Sequence, residues 1–188
     1  MTMIRETIVT TVNSGGVVHI APLGIIADGQ GWVIAPFRPS MTLENLRTTP
    51  LAVVNCTDDV RIFAGCLTGR RDYQLEPIAA FPVPRLKAAL SHMRLRVVRV
   101  VEDTQRPRFH CAVLDTETHA PFMGFNRAQA AVIEAAILVS RLSMIKREKI
   151  EQEMAYLEIA VSKTSGPEEE EAWHWLKKKV ADHFAAGN

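Results

Sequence analysis

The segment at residues 36–46 carries the side chains of this chain that are best suited to bind an anion. Four polar residues follow the apolar run that ends at Ala35: Arg38, Ser40, Thr42 and Asn45. A guanidinium can contact a phosphate through two hydrogen bonds, and hydroxyl and amide groups add neutral ones. Thr42 is placed to cap a short helix at residues 45–47, whose first N–H groups would add further donors. The pattern predicts a phosphate site.

The same residues also have an ordinary structural interpretation. Ser40 and Thr42 belong to the residue types that turns and helix caps prefer, and an arginine beside them can simply be solvated. Clusters of this kind are common where helices begin. The spacing therefore leaves both interpretations open.

Other reactive side chains form no recognisable site in the sequence. The three cysteines, Cys56, Cys66 and Cys111, are odd in number and lack a CxxC pair, so we expect reduced thiols. His110 and Cys111 would point to opposite faces of a strand, so we expect no metal site built from them and His119. The motifs GxGxxG, GxSxG and HExxH are absent, and no side chain is an evident catalytic acid or base.

Composition excludes several classes of function. The 188 residues include 22 Lys and Arg against 21 Asp and Glu, so no overall field favours nucleic acid or anionic lipid. The apolar stretch at residues 130–139 is broken by Glu134 and is shorter than the roughly 20 residues that span a bilayer. The N-terminus has no signal-peptide pattern. We expect a soluble, cytoplasmic protein without nucleic-acid or membrane partners.

The first two thirds of the chain are predicted to form short strands. β-branched residues and turn glycines indicate extended segments at residues 7–12, 17–21, 25–26, 32–34, 51–55, 94–101 and 109–114, with a turn at residues 28–31. A short helix is expected near residues 84–93. Strands that are this short, with short turns between them, favour a barrel or sandwich over alternating strands and helices.

The pattern becomes helical at Asn126. Asn126 and Gln129 have the spacing of a capping box, and residues 128–145 contain neither Gly nor Pro. Further helices are expected at residues 149–161 and from residues 165–167 onward. We therefore predict a β-rich domain at residues 1–125 and a three-helix subdomain at residues 126–188, packed on the barrel or on a dimer partner.

Several sequence blocks together resemble a known family. They are residues 6–11, 19–24, 36–38 with Ser40, Thr42, Asn45 and Leu46, 54–60 and 125–128. They resemble an uncharacterised family of FMN-binding split-barrel proteins within the flavin-reductase-like and pyridoxamine-phosphate-oxidase-like superfamily. The resemblance covers nearly the whole chain. It implies an α+β fold, a six-stranded split β-barrel of the FMN-binding type followed by a small C-terminal helical subdomain, and a homodimer with FMN near its interface.

The resemblance also implies which residues contact FMN. The phosphate would lie at the segment around Arg38, and the isoalloxazine ring would lie along the backbone of Ala21 and Pro22. Asn126 and Arg127 would add contacts from the long helix, in trans if the partner subunit supplies them. The predicted cofactor-binding residues are His19, Ala21, Pro22, Arg38, Ser40, Thr42, Asn45, Asn55, Asn126 and Arg127.

Two functions follow from this resemblance. The first is a flavin-dependent oxidoreductase of unknown substrate, with NAD(P)H or another small electron donor binding over the flavin. The alternative is a non-catalytic protein that binds or carries FMN or another phosphorylated ligand. The two share one anion site and differ in turnover.

Overall fold

A computed structural model describes residues 2–186 of the chain. The strands are β1 (Ile4–Val12), β2 (Val18–Asp28), β3 (Gly31–Ile34), β4 (Leu51–Cys56), β5 (Leu75–Ile78), β6 (Phe81–Leu86), β7 (Ser91–Val101) and β8 (Arg108–Thr118). The helices are α1 (Met41–Thr48), α2 (Val60–Leu67), α3 (Arg127–Val139), α4 (Arg147–Thr164) and α5 (Pro167–Ala186). These elements form two compact units, one of residues 2–57 with 73–122 and one of residues 58–72 with 123–186.

Six strands close into an antiparallel barrel in the order β1-β2-β3-β8-β7-β4. β1 pairs with β2 on one side, where Val9 lies opposite Ala21, and with β4 on the other, where Val9 lies opposite Val54. β-branched residues fill most of β1, which suits a strand paired on both edges. The six-stranded barrel followed by helices that the sequence predicted is confirmed.

The barrel interior is apolar and is covered at one end by α1. Side chains from the strands and two leucines of α1 form this core: Val9, Ile25, Ile34, Leu43, Leu46, Ala52, Val54, Leu95, Phe109 and Cys111. β3 and β4 lie on opposite sides of the barrel, so the chain between them must cross one end. α1 makes that crossing and packs on β1 and β2.

The β5–β6 pair forms a separate two-stranded sheet on the outer face of the barrel. Val83 of this pair packs with Val12 and Val53. The short helix predicted at residues 84–93 is wrong, because that stretch contains the end of β6 and the start of β7. Pro82 and Pro84 lie in β6. Proline has no backbone N–H to donate, so a strand accepts it at positions where no neighbouring strand needs that hydrogen bond.

The second unit consists of four helices. α2 packs on α3 and α5, and α3 packs on α4. Small buried residues allow close approach of the helices: Ala64, Ala128, Ala131, Ala135, Ala136 and Ala172. The long helix predicted at residues 128–145 ends earlier, at Val139, where Ser140 caps it and turns follow. None of the helices described within residues 2–186 has the length and apolar character needed to cross a membrane.

Candidate functional site

The predicted anion-binding segment forms the start of α1. Ser40 is the N-cap residue, and its Oγ accepts a hydrogen bond from the backbone N–H of Leu43 at 3.3 Å. The prediction that Thr42 caps this helix is wrong, because Thr42 lies in its first turn with a buried side chain. The helix also begins earlier than residue 45. The N-terminus of α1 therefore follows directly after Arg38 and Pro39. This places the first N–H groups of the helix, which favour anions, close to Arg38 in the chain.

Arg38 is held by the connection between β7 and β8. Its backbone N–H donates to the carbonyl of Gln105 at 2.8 Å, and its Nε donates to the carbonyl of Asp103 at 3.1 Å. Its Nη2 contacts Glu102 Oε2 at 2.6 Å. The guanidinium is therefore fixed at the end of the barrel beside α1, although its side chain remains 38% exposed.

Two further arginines lie at this end of the barrel and were not predicted from the sequence. Arg47, in the last turn of α1, contacts Glu102 Oε1 at 2.7 Å. Arg106 donates from Nε and Nη2 to the carbonyl of Ala35 at 3.0 and 2.9 Å, and its guanidinium lies 4.4 Å from the ring centroid of Phe37. Arg47 is separated from Arg38 by α1, and Arg106 is far from Arg38 in sequence. The three arginines therefore come together only in the folded chain. We call Arg38, Arg47, Arg106 and Glu102 the arginine corner.

The loop that carries Glu102 is held in place by Asp103. Asp103 Oδ1 accepts hydrogen bonds from the backbone N–H groups of Gln105 and Arg106 at 2.8 and 2.7 Å. These bonds hold the pKa of the Asp103 carboxyl below its ordinary value. Counted together, the three arginines exceed Glu102 and Asp103 by one positive charge. Glu44 in the first turn of α1 adds a further carboxylate near this end, so the corner is distinguished by its cluster of three arginines and not by a net charge.

Asn45 links α1 to the barrel. Its side chain is buried, and Nδ2 donates to Thr11 Oγ1 at 3.0 Å. This bond joins α1 to β1 at Thr11, which lies opposite His19 in the β1–β2 ladder. The contact of Asn45 with a phosphate stays a prediction.

His19, Ala21 and Pro22 lie on β2 with half-buried side chains. β1 pairs with this whole stretch, whereas β3 pairs only with the end of β2 at residues 26–28. At Ala21 and Pro22, the edge of β2 remote from β1 pairs with no strand in the described part of the chain. Such an edge can offer backbone groups to a planar ligand.

Asn55 has a clear structural role. It is fully buried on the outer face of the barrel, where Nδ2 donates to the carbonyl of Ile8 at 3.0 Å. Its Oδ1 accepts from the backbone N–H of Leu86 at 2.8 Å and so fastens β6 to the barrel. Its predicted contact with the cofactor stays a prediction.

Asn126 and Arg127 belong to the helical unit. Asn126 is the N-cap of α3, and its Oδ1 accepts from the N–H groups of Ala128 and Gln129 at 2.7 and 3.3 Å. The reciprocal half of the predicted capping box is absent, since the Gln129 side chain donates to Glu169 instead. Arg127 is exposed at the first position of α3. Their contacts with a flavin stay predictions.

His110 and Cys111 point to opposite faces of β8, as expected. Cys111 lies in the barrel core, where burial raises the pKa of its thiol to about 12. His110 Nδ1 contacts Asp28 Oδ2 at 2.6 Å on the other face, and this contact holds the pKa of Asp28 below its ordinary value. A metal shared by these two neighbours is therefore excluded by geometry.

Comparison with solved structures shows a shared fold. The chain is similar to an FMN-bound protein of the DUF447 family from Methanosarcina mazei, with a TM-score of 0.81 at 21% identity over 94% of both chains. It is also similar to the styrene monooxygenase flavin reductase of Pseudomonas putida S12, with a TM-score of 0.53 at 15% identity over 62% of this chain and 80% of that one. A 2-nitrobenzoate 2-nitroreductase from Pseudomonas fluorescens gives a TM-score of 0.52 at 21% identity, over 61% and 64% of the two chains.

Comparison with family models assigns most of the chain. A search of curated proteins found no match. The model of the N-terminal domain of a protein family of unknown function, DUF447, matches residues 5–120, and the model of the DUF447 C-terminal region matches residues 126–178. Together with the barrel and the helices that follow it, these matches show that the chain belongs to the DUF447 family.

Proposed function

We propose that this protein binds FMN in its barrel unit, with the phosphate at the arginine corner. Membership of the DUF447 family supports this, since the similar protein from Methanosarcina mazei is FMN-bound. FMN offers a dianionic phosphate at one end and a flat, largely apolar ring at the other. It therefore needs one local cationic site and one surface that can take the ring.

The observation that carries the proposal is that α1, which holds Ser40 at its N-cap and Arg47 in its last turn, packs on β1 and on β2, whose edge at Ala21 and Pro22 has no partner strand on the side away from β1 in the described chain. Asn45 bonds Thr11, and Thr11 lies opposite His19 in the ladder. Ala21 and Pro22 follow two and three residues farther along the same strand. The phosphate donors of α1 and the backbone edge for the ring thus belong to one continuous part of the barrel.

In this proposal Arg38 and Arg47 bind the phosphate oxygens. Arg38 donates to Oε2 of the Glu102 carboxylate, and Arg47 donates to both of its oxygens. A phosphate carries the same kind of oxygens with a higher charge, so it competes with Glu102 for these donors. Ser40 and the first N–H groups of α1 add donors that favour an anion. Ala21 and Pro22 support the ring through their backbone.

We propose further that the protein is a flavin-dependent oxidoreductase and acts as a homodimer. Bound FMN supplies the redox chemistry, and the chain binds and orients it. The flavin reductase and nitroreductase that share the fold support this class. NAD(P)H is the electron donor proposed. A non-catalytic carrier of FMN remains the alternative, since the arginine corner serves either function.

The binding proposal is tested by titrating the purified protein with FMN and with riboflavin, which lacks the phosphate. Arg38→Ala should weaken FMN binding by about 1.5 to 3 kcal/mol, the usual loss for a charged hydrogen bond, and leave riboflavin binding unchanged. Arg99→Ala is the matched control, because Arg99 contacts His110 and lies outside the corner. Equal FMN affinity in Arg38→Ala and the wild type would show that the phosphate does not bind at Arg38.

The reaction is tested on the FMN-loaded protein by stopped-flow absorbance. Reduction of the flavin by NADH or NADPH within a physiological turnover time supports the oxidoreductase. Failure of every nicotinamide donor supports the carrier. Light scattering during size-exclusion chromatography tests the homodimer, and a monomeric mass would contradict it.

A further inference from the structure

Two histidines and a glutamate lie on one face of the β7–β8 pair, away from the arginine corner in sequence. His92 of β7 is directly opposite Glu117 of β8 in the antiparallel ladder. His119 follows two residues after Glu117, just past the end of β8. Residues opposite each other in a ladder share a face, and so do residues two apart on a strand. The topology therefore brings these three side chains together.

The ligand atoms of this cluster are close enough to share a metal ion. His92 Nδ1 lies 2.8 Å from His119 Nε2, and His119 Nδ1 lies 3.8 Å from Glu117 Oε1. One ligand atom from each residue lies within 4.8 Å of the others. Zinc bonds of about 2.0 to 2.2 Å separate tetrahedral donors by about 3.3 to 3.6 Å. The 2.8 Å contact is a hydrogen bond between the two rings, so a bound metal would replace it and the side chains would rotate apart to the wider spacing.

Burial of His92 and backbone hydrogen bonds of His119 anchor these two residues in the fold. His92 is 2% exposed. The backbone N–H of His119 donates to the carbonyl of Leu90 at 2.7 Å, and the N–H of Leu90 donates to the carbonyl of Cys56 at 2.8 Å. The Glu117 side chain is 61% exposed and can rotate toward the imidazoles. Two imidazoles on anchored residues and one adjustable carboxylate, open to solvent on the Glu117 side, leave room for a water as a fourth ligand.

Two arginines near the cluster have carboxylate partners of their own. Arg94 contacts Asp115 at 2.6 Å, and Arg85 contacts Glu76. The charges of these two arginines are thus partly compensated. In the described part of the chain, no arginine forms an ion pair with Glu117. Glu117 remains available as a ligand.

We propose that His92, Glu117 and His119 bind a divalent transition metal of the zinc type. Two imidazoles and one carboxylate are a ligand set that such ions prefer, whereas calcium and magnesium prefer oxygen ligands. The ion would tie the start of β7 to the end of β8. This site is independent of the flavin, so either proposal can fail while the other holds.

The test uses tag-free protein treated with a chelator and then dialysed. Titration calorimetry with zinc chloride should give one Zn²⁺ per chain, and Co²⁺ should give the visible absorption of a tetrahedral complex. The melting temperature should rise with zinc, because a ligand that binds the folded chain stabilises it. A wild-type protein that binds no zinc overturns the proposal.

Variants locate the site. Glu117→Gln removes an exposed carboxylate, so it should fold normally, and His119→Gln removes one imidazole. Each should weaken zinc binding by about 10- to 100-fold or more, since even residues that merely support metal ligands cost this much. His110→Ala is the control, because His110 also contacts a carboxylate but lies outside the cluster. Equal zinc affinity in all four proteins would overturn the assignment, as would loss of binding in His110→Ala.

Discussion

The barrel unit and the helical unit bury their polar side chains very differently. In the barrel unit seven polar residues are buried: Thr7, Thr10, Thr11, Thr42, Asn45, Asn55 and His92. In the described part of the helical unit, Glu169 is the only buried polar residue. Its carboxylate accepts hydrogen bonds from the side chain of Gln129 and the backbone N–H of Gly166. Buried polar groups cost stability unless they are hydrogen-bonded, so they indicate where specific geometry is maintained. The comparison places specific geometry in the barrel and apolar packing in the helices.

The largest effect is expected in the helical unit, where packing dominates. Leu176 on α5 is fully buried, so Leu176→Ala should lower the free energy of unfolding by about 2 to 5 kcal/mol through lost contacts and a cavity. Ile159→Ala is the control, since Ile159 on α4 is 47% exposed. Denaturant unfolding followed by circular dichroism measures both. Equal small losses would show that this unit does not depend on its apolar core.

The next effect tests the hydrogen-bonded interior of the barrel. Asn55→Ala removes the partners of the Ile8 carbonyl and the Leu86 N–H, and buried unpaired groups should lower the free energy of unfolding by about 2 to 4 kcal/mol. In Asn13→Ala, water can replace the bonds that Asn13 accepts in an exposed turn, so its loss should be smaller. Both residues belong to the barrel unit, so similar losses in the two variants would contradict the claim that its buried hydrogen bonds contribute more to stability than its exposed ones. Titration with FMN in Asn55→Ala also tests the predicted cofactor contact.

A smaller effect concerns the thiol inside the barrel. Cys111 has a pKa of about 12 in the folded chain against an ordinary value of 9.0, so above pH 9 the unfolded chain loses its thiol proton first. The folded state then holds more protons, and stability must fall as the pH rises. Between pH 8 and pH 10 this thiol should remove about 1 kcal/mol of unfolding free energy.

Cys111→Ala isolates that contribution. Its unfolding free energy should depend less on pH between 8 and 10 than that of the wild type, even though the substitution lowers stability at every pH. Parallel pH dependences in the two proteins would show that the thiol ionises in the folded barrel.

The smallest effect sharpens the role of the arginine corner. Glu102 competes with the phosphate for Arg38 and Arg47 in our proposal, so Glu102→Gln should strengthen FMN binding about two- to fivefold, the scale of an exposed ion pair. Riboflavin affinity should not change, since riboflavin has no phosphate. Weaker FMN binding would instead mean that Glu102 positions the arginines.

Local patterns predicted most of the strands, and the family resemblance narrowed barrel or sandwich to the six-stranded barrel; the helix start beside Arg38 also followed from local residue types, while its binding of an anion stays a prediction. β-branched runs and turn glycines indicate strands, and Arg38, Ser40 and α1 are close in the chain. Arg106 could not be found in this way, since the β7–β8 connection brings it to Ala35 across the fold. The helix predicted at residues 84–93 failed because Pro84 suits the start of a helix and also suits an unpaired strand edge.

The cluster around His92 could have been found from one pattern. Glu117 and His119 are two residues apart at the end of β8, and the ladder places His92 opposite Glu117. The alternation is visible in the sequence, but the register is not, and a shift by one residue would turn His92 to the other face. Two irregularities in the β7–β8 pairing make that register hard to infer.

The crossing of α1 over the end of the barrel restricts how this protein can change. β3 and β4 lie on opposite sides of the barrel, so the peptide between them cannot be shortened without pulling the wall inward. Leu43 and Leu46 fill the opening beneath that peptide, while Ser40 and Arg47 stand on its outer surface. A substitution in α1 that changes which ligand binds therefore also affects how Leu43 and Leu46 close the end of the barrel. Selection for a new ligand must keep the barrel closed as well.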